Sequence, residues 1–128
     1  MQLHLHGHDF AILSQSTEPY VQGVTQLNLI NPPRRDVVTL YGGGGHVVIA
    51  FKTDNPGAWL LHCHIALHAS EGLALQILEN RVGAALIWPT GASHALKVSK
   101  QLCTEWTNYV NHVNPNNANP WFQDDSGI

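Results

Sequence analysis

At 128 residues the chain is at most one domain, and its charge of −3 at a pI near 6.3, with no basic run or stripe, argues against nucleic acid or an anionic membrane as partner. No run of about 18 apolar residues exists to cross a membrane, no basic-then-apolar leader opens the chain, and no Asn-x-Ser/Thr acceptor occurs. Only 12% of residues are charged, so part of the surface is expected to lie against something else.

In chain order, HLHGHDFAIL, VTQLNLI, DVVTLY, HVVIAFKT, AWLLHCHI and LALQILE read as strands. They are separated by NPPRR, GGGG and DNPG, all rich in Gly, Pro or Asn. Short strands at this spacing predict an all-β antiparallel sandwich or barrel. Arg34, Arg35 and Asp36 read as a salt-bridged loop, and Gly42 to Gly45 as a flexible turn lacking the Lys-Ser/Thr of a phosphate loop. From Ser99 to Val113, Leu102, Trp106, Tyr109, Val110 and Val113 recur at threes and fours and predict one amphipathic helix. An extended tail, NPNNANPWFQDDSGI, follows it.

Histidines gather in two places, HLHGH (His4 to His8) and HCHIALH (His62 to His68). Strand side chains alternate, so His62 and His64 share one face, with α-carbons roughly 6.6–7 Å apart, and Cys63 takes the other. The same alternation puts His4, His6 and His8 on a single face. Two such strands can share a metal cluster, with Cys63 serving a second site one residue away. A thiolate with imidazoles and a weak axial position describes a trigonal blue-copper centre. His68 supplies an imidazole from the loop after the strand, and Leu73 stands at the non-ligating axial position. His-x-His alone is equally at home in zinc enzymes and in cupin iron or manganese sites. His46, His94 and His112 read as ordinary polar residues. Cys103 is left without a partner inside the chain, either as a buried thiol or bonded elsewhere.

HLHGHDF, NPPRRDVV, VIAFKTDNPGAWLLHCHIALHASEGLALQ and the terminal DSGI together resemble the C-terminal cupredoxin domain of multicopper oxidases, and within them ascomycete laccases. The resemblance covers essentially the whole chain. It implies a Greek-key cupredoxin sandwich, with residues 1–95 carrying the copper ligands and residues 96–128 forming the helix and tail of the same domain. It implies type 1, type 2 and type 3 copper: His4 at type 2, His6, His62 and His64 at the type 3 pair, and Cys63 and His68 at type 1 beside Leu73. His8 matches a motif histidine that is not a ligand. The implied activity is one-electron oxidation of phenols at type 1 copper. Electrons pass through Cys63, His62 and His64 to a cluster that reduces O₂ to water. Secretion, a role in lignin breakdown and a disulfide from Cys103 to a first domain come with the resemblance, as does a channel-plugging role for Asp125 to Ile128.

Some positions depart from the family pattern. Its motif reads His-Pro-x-His-Leu-His-Gly-His, and Met1, Gln2 and Leu3 occupy the first three positions here, which removes one type 1 imidazole. A methionine there suggests truncation or a misplaced start. Leu67 stands where fungal laccases usually carry Trp. The family has three cupredoxin domains, so the N-terminal domains, and early strands of this one, are expected elsewhere. An isolated chain is then expected to be inactive. Two other readings are an electron-transfer cupredoxin, which has no use for HLHGH, and a cupin-type dioxygenase, which leaves Cys63 and Leu73 without roles.

Overall fold

The computed structural model describes residues 1–89 and 94–119. Two antiparallel sheets carry the fold, and they do not close into a barrel. The first has the order β4-β1-β6-β7, from Val37–Thr39, Gln2–Leu5, Gly57–Cys63 and Ala74–Glu79. The second has the order β3-β2-β5, from Arg34–Arg35, Phe10–Ser16 and His46–Ala50. Leu5, Phe10 and Val38 are buried together, with Ile12, Ile49, Phe51, Trp59 and Leu61 packed around them. Leu5 and Phe10 lie on strands of different sheets, so one apolar cluster spans both layers.

HLHGHDFAIL is two strands, not one. β1 ends at Leu5, and Gly7 takes φ +72°, a left-handed turn that costs glycine nothing. A Cβ at Gly7 would lie 2.4 Å from Trp59, so the turn also needs the missing side chain. VTQLNLI is not a strand. The segment reaches the sheet only where β2 runs past the two-residue β3, and it does not go on to form a ladder there. One bond ties it down, from Asn28 N–H to the Leu13 carbonyl at 2.7 Å, and Leu29 and Ile30 stay exposed. Arg34 and Arg35 form a short strand rather than a salt-bridged loop. Among the described residues neither pairs with a carboxylate, and Arg34 donates to the Asp9 carbonyl instead.

Three α-helices and a short 3-10 helix (Pro115–Asn117) complete the described chain. α1 (Ala66–Ser70) replaces the expected loop after Cys63. α2 (Arg81–Ile87) was not anticipated; its signal was Asn80, whose side chain accepts the Gly83 N–H at 3.0 Å as an N-cap. α3 (His94–Val113) contains the expected helix and starts five residues earlier than Ser99. No residue of α3 is buried, and Leu102, Trp106, Tyr109 and Val113 are all exposed. His46 is no bystander: on β5 it donates from Nδ1 to the Glu18 carbonyl, so its Nε2 accepts from Ser14 Oγ at 3.0 Å. The tail Asp125 to Ile128 lies outside the described residues.

Candidate metal centre

β1 and β6 pair antiparallel with His4 opposite His62 and Leu3 opposite Cys63. That register puts both histidine motifs on one face of the sheet. Ligating nitrogens of His4, His6 and His62 all fall within 4.8 Å of one another. His64 borders the group, its ring 5.7 Å from His4 and 5.6 Å from His62. A cavity of about 380 Å³ opens beside the cluster, lined by His4, His6, His8 and Asp36 among others.

Carbonyl partners fix the tautomers. His4 Nδ1 lies 2.9 Å from the Asp36 carbonyl, and His62 Nδ1 lies 3.0 Å from that of Cys63. A carbonyl only accepts, so both Nδ1 atoms carry the proton and both Nε2 atoms present lone pairs. His6 Nε2 faces His62 Nε2 at 3.1 Å, a spacing that needs a proton or a cation between two nitrogens. Partial desolvation, and then the neighbouring imidazoles of His4, His62 and His64, hold the His6 pKa below the ordinary 6.5. A neutral, proton-poor imidazole is the form that binds a metal.

His8 breaks from the expected common face. Gly7 reverses the strand, and His8 enters the interior against Phe51 and Trp59, with Nε2 2.8 Å from Glu79 Oε2. Nothing in the alternation of HLHGH foretold this; the interior glycine was the available signal.

On the opposite face of β6, Cys63 is fully buried, and its Sγ lies 3.4 Å from His68 Nδ1. α1 turns the chain back so that His68 meets the thiol five residues earlier. Leu73 joins them through its backbone: its N–H donates to His68, and its carbonyl accepts from Cys63 N–H. With His68 it lines a second opening of about 370 Å³. Cys63 and Cys103 are not bonded to each other, and Cys103 is exposed on α3 rather than buried.

Comparison with known proteins gives the family. Residues 2–82 match the family model of multicopper oxidases, and the chain belongs to that family. It is 52% identical over 126 residues to laccase-1 of Botryotinia fuckeliana, covering 98% of this chain and 20% of that protein. Dihydrogeodin oxidase of Aspergillus terreus is 50% identical over 127 residues, with the same two coverages. The crystal structure of the Botrytis aclada laccase superposes with TM-score 0.65 at 43% identity, over 99% of this chain and 22% of that one. A multicopper oxidase that functions in iron import matches at TM-score 0.57 and 27% identity, over 80% of this chain and 21% of that one. The chain thus spans about a fifth of the length of these relatives. Copper is the cofactor the family implies. The donor chemistry fits it: imidazoles that converge through ring nitrogens on one face, and a buried thiol with an imidazole on the other.

Proposed function

We propose that the chain is the C-terminal copper-binding domain of a laccase-type oxidase. Residues 1–95 carry the ligands, and residues 96–128 form the helix and tail of the same domain. In this reading His4 serves type 2 copper and His6, His62 and His64 serve the type 3 pair. Cys63 and His68 would hold type 1 copper, with Leu73 beside them as a residue that cannot ligate. One observation carries the reading: two donor sets stand back to back on β6, His62 in the imidazole group and Cys63 against His68 on the other face.

Copper held by these residues would supply the one-electron oxidation of phenols and the four-electron reduction of O₂ to water. The chain's own residues do the rest. The Asp36 and Cys63 carbonyls hold His4 and His62 in the tautomer that offers Nε2. Burial of Cys63 keeps water from the thiol. The peptide units joining Cys63 to His62 and His64 make the covalent path between the donor sets. Phenols, O₂ and the remaining domains of the same secreted protein are the partners. In this reading Cys103, which is exposed on α3, bonds a cysteine of those domains.

The test uses the complete oxidase that contains this sequence. Cys63→Ser should abolish the intense blue absorption and phenol turnover while leaving the cluster copper in place by metal analysis. A variant that stays blue would overturn the assignment.

A further inference from the structure

We infer that His8 and Glu79 are positioning residues: a buried latch that holds the His6 backbone, and with it one edge of the histidine cluster. The inference rests on the reading above, in which His6 is a copper ligand.

His6 sits one residue past the end of β1, next to the glycine turn, and is exposed. Its N–H still reaches the Leu60 carbonyl at 2.9 Å, but its own carbonyl has left the ladder. That carbonyl instead accepts from His8 Nδ1 at 3.1 Å. His8 can give this bond only from a fixed ring, and Glu79 fixes it at 2.8 Å through Nε2, both side chains being 3% exposed. The second oxygen of Glu79 accepts the Asn55 N–H at 2.6 Å, and Asn55 Nδ2 donates to the Gly7 carbonyl at 2.9 Å. Trp59 donates to the Asn55 carbonyl at 2.7 Å while its ring packs on Gly7. The His6 and Gly7 carbonyls and the His8 ring are therefore each held by a chain of bonds that runs through Glu79 or Asn55.

The same bonds remove His8 from the ligand pool. Facing a carbonyl, its Nδ1 must carry a proton, and its Nε2 shares one with a carboxylate. Neither nitrogen presents a lone pair outward, so HLHGH offers the cluster two imidazoles and spends the third as a brace. Groups that orient a metal ligand without touching the metal typically alter affinity by about 10–100-fold when lost.

The experiment compares variants of the complete oxidase by copper content, the type 1 and cluster spectroscopic signatures, and thermal unfolding. The double variant His8→Phe with Glu79→Leu keeps apolar volume against Phe51 and Trp59 but releases the His6 carbonyl. Expected are an unfolding temperature close to that of the parent, an unchanged type 1 band, and a loss of cluster copper affinity of about 10–100-fold. Glu79→Gln, which can still accept from Asn55 and bond His8, should restore the cluster. Full cluster copper in the double variant would overturn the inference, because the pair would then serve packing alone. Loss of cluster copper in a folded Glu79→Gln would overturn it too, since charge rather than position would be responsible. If the double variant does not fold, Glu79→Ala is read by the same signatures, and an intact cluster there refutes the latch. A parent protein without copper would instead refute the underlying reading of His6.

Discussion

Gly7 is the residue on which the site's geometry turns. Its φ of +72° and its contact with Trp59 both exclude a side chain. Gly7→Ala is expected to destabilise the complete protein by roughly 1–3 kcal/mol, seen as a lower denaturation midpoint. His8 and Glu79 form a buried pair, so removing one partner strands the other. His8→Ala should cost about 3–5 kcal/mol in the same measurement. His6 sets a pH dependence. Desolvation and then the like imidazoles lower its pKa in the folded state, so the unfolded chain takes up this proton first as pH falls. Its contribution therefore opposes folding from about the ordinary value of 6.5 downwards, fully so below the lowered folded value. The metal-free protein should unfold at a lower temperature at pH 5 than at pH 7, and His6→Gln should reduce that difference. An equal slope in the variant would assign the effect to other groups.

Between β1 and β6, pairing does what neither strand does alone. The opposition of His4 and His62 turns two sequence motifs fifty-six residues apart (His6 to His62) into one cluster. The alternation within β6 then separates the thiol from the imidazoles. α3 poses a different problem. Leu102, Trp106, Tyr109 and Val113 lie on a helix with no buried residue, and β7 adds exposed Leu75 and Leu78. Apolar surface of this extent drives association in water. The 128-residue chain made alone should elute as aggregates in size-exclusion chromatography, and Trp106→Lys with Tyr109→Lys should shift it toward monomer. A soluble, cooperatively melting monomer without substitution would refute this.

For the whole molecule, the chain spans about a fifth of its relatives, and in the function proposed above its donors are part of a larger set. The thiol site shows Cys63 with one imidazole, and in the function proposed above Met1 stands where a further imidazole is needed. Copper affinity depends on a preassembled ligand set. The isolated chain, loaded with copper, should show little blue colour and no phenol oxidation. Met1→His behind an added start, with Gln2→Pro, should strengthen the blue band without giving turnover. Phenol oxidation with matching O₂ uptake by the unmodified chain would mean that copies complete one another's sites.

By itself the sequence determined the chemistry of the site and the class of the fold. His62, Cys63, His64 and His68 lie within seven residues, where alternation and one short return suffice to set their faces. The strands of DVVTLY, HVVIAFKT, AWLLHCHI and LALQILE were legible for the same reason, since each alternates or runs apolar between turn residues. Only the tertiary structure decided what depended on distant partners. VTQLNLI has strand-like residues but makes a single backbone bond to β2, from Asn28 to Leu13, and forms no ladder. Asn80 caps a helix whose apolar residues also suited other structures. His8, which alternation placed on the face of His4 and His6, is drawn inward by Glu79, seventy-one residues away in the chain. Local periodicity carries no record of a buried carboxylate that approaches only when β7 pairs with β6 and the Asn55 loop closes over it.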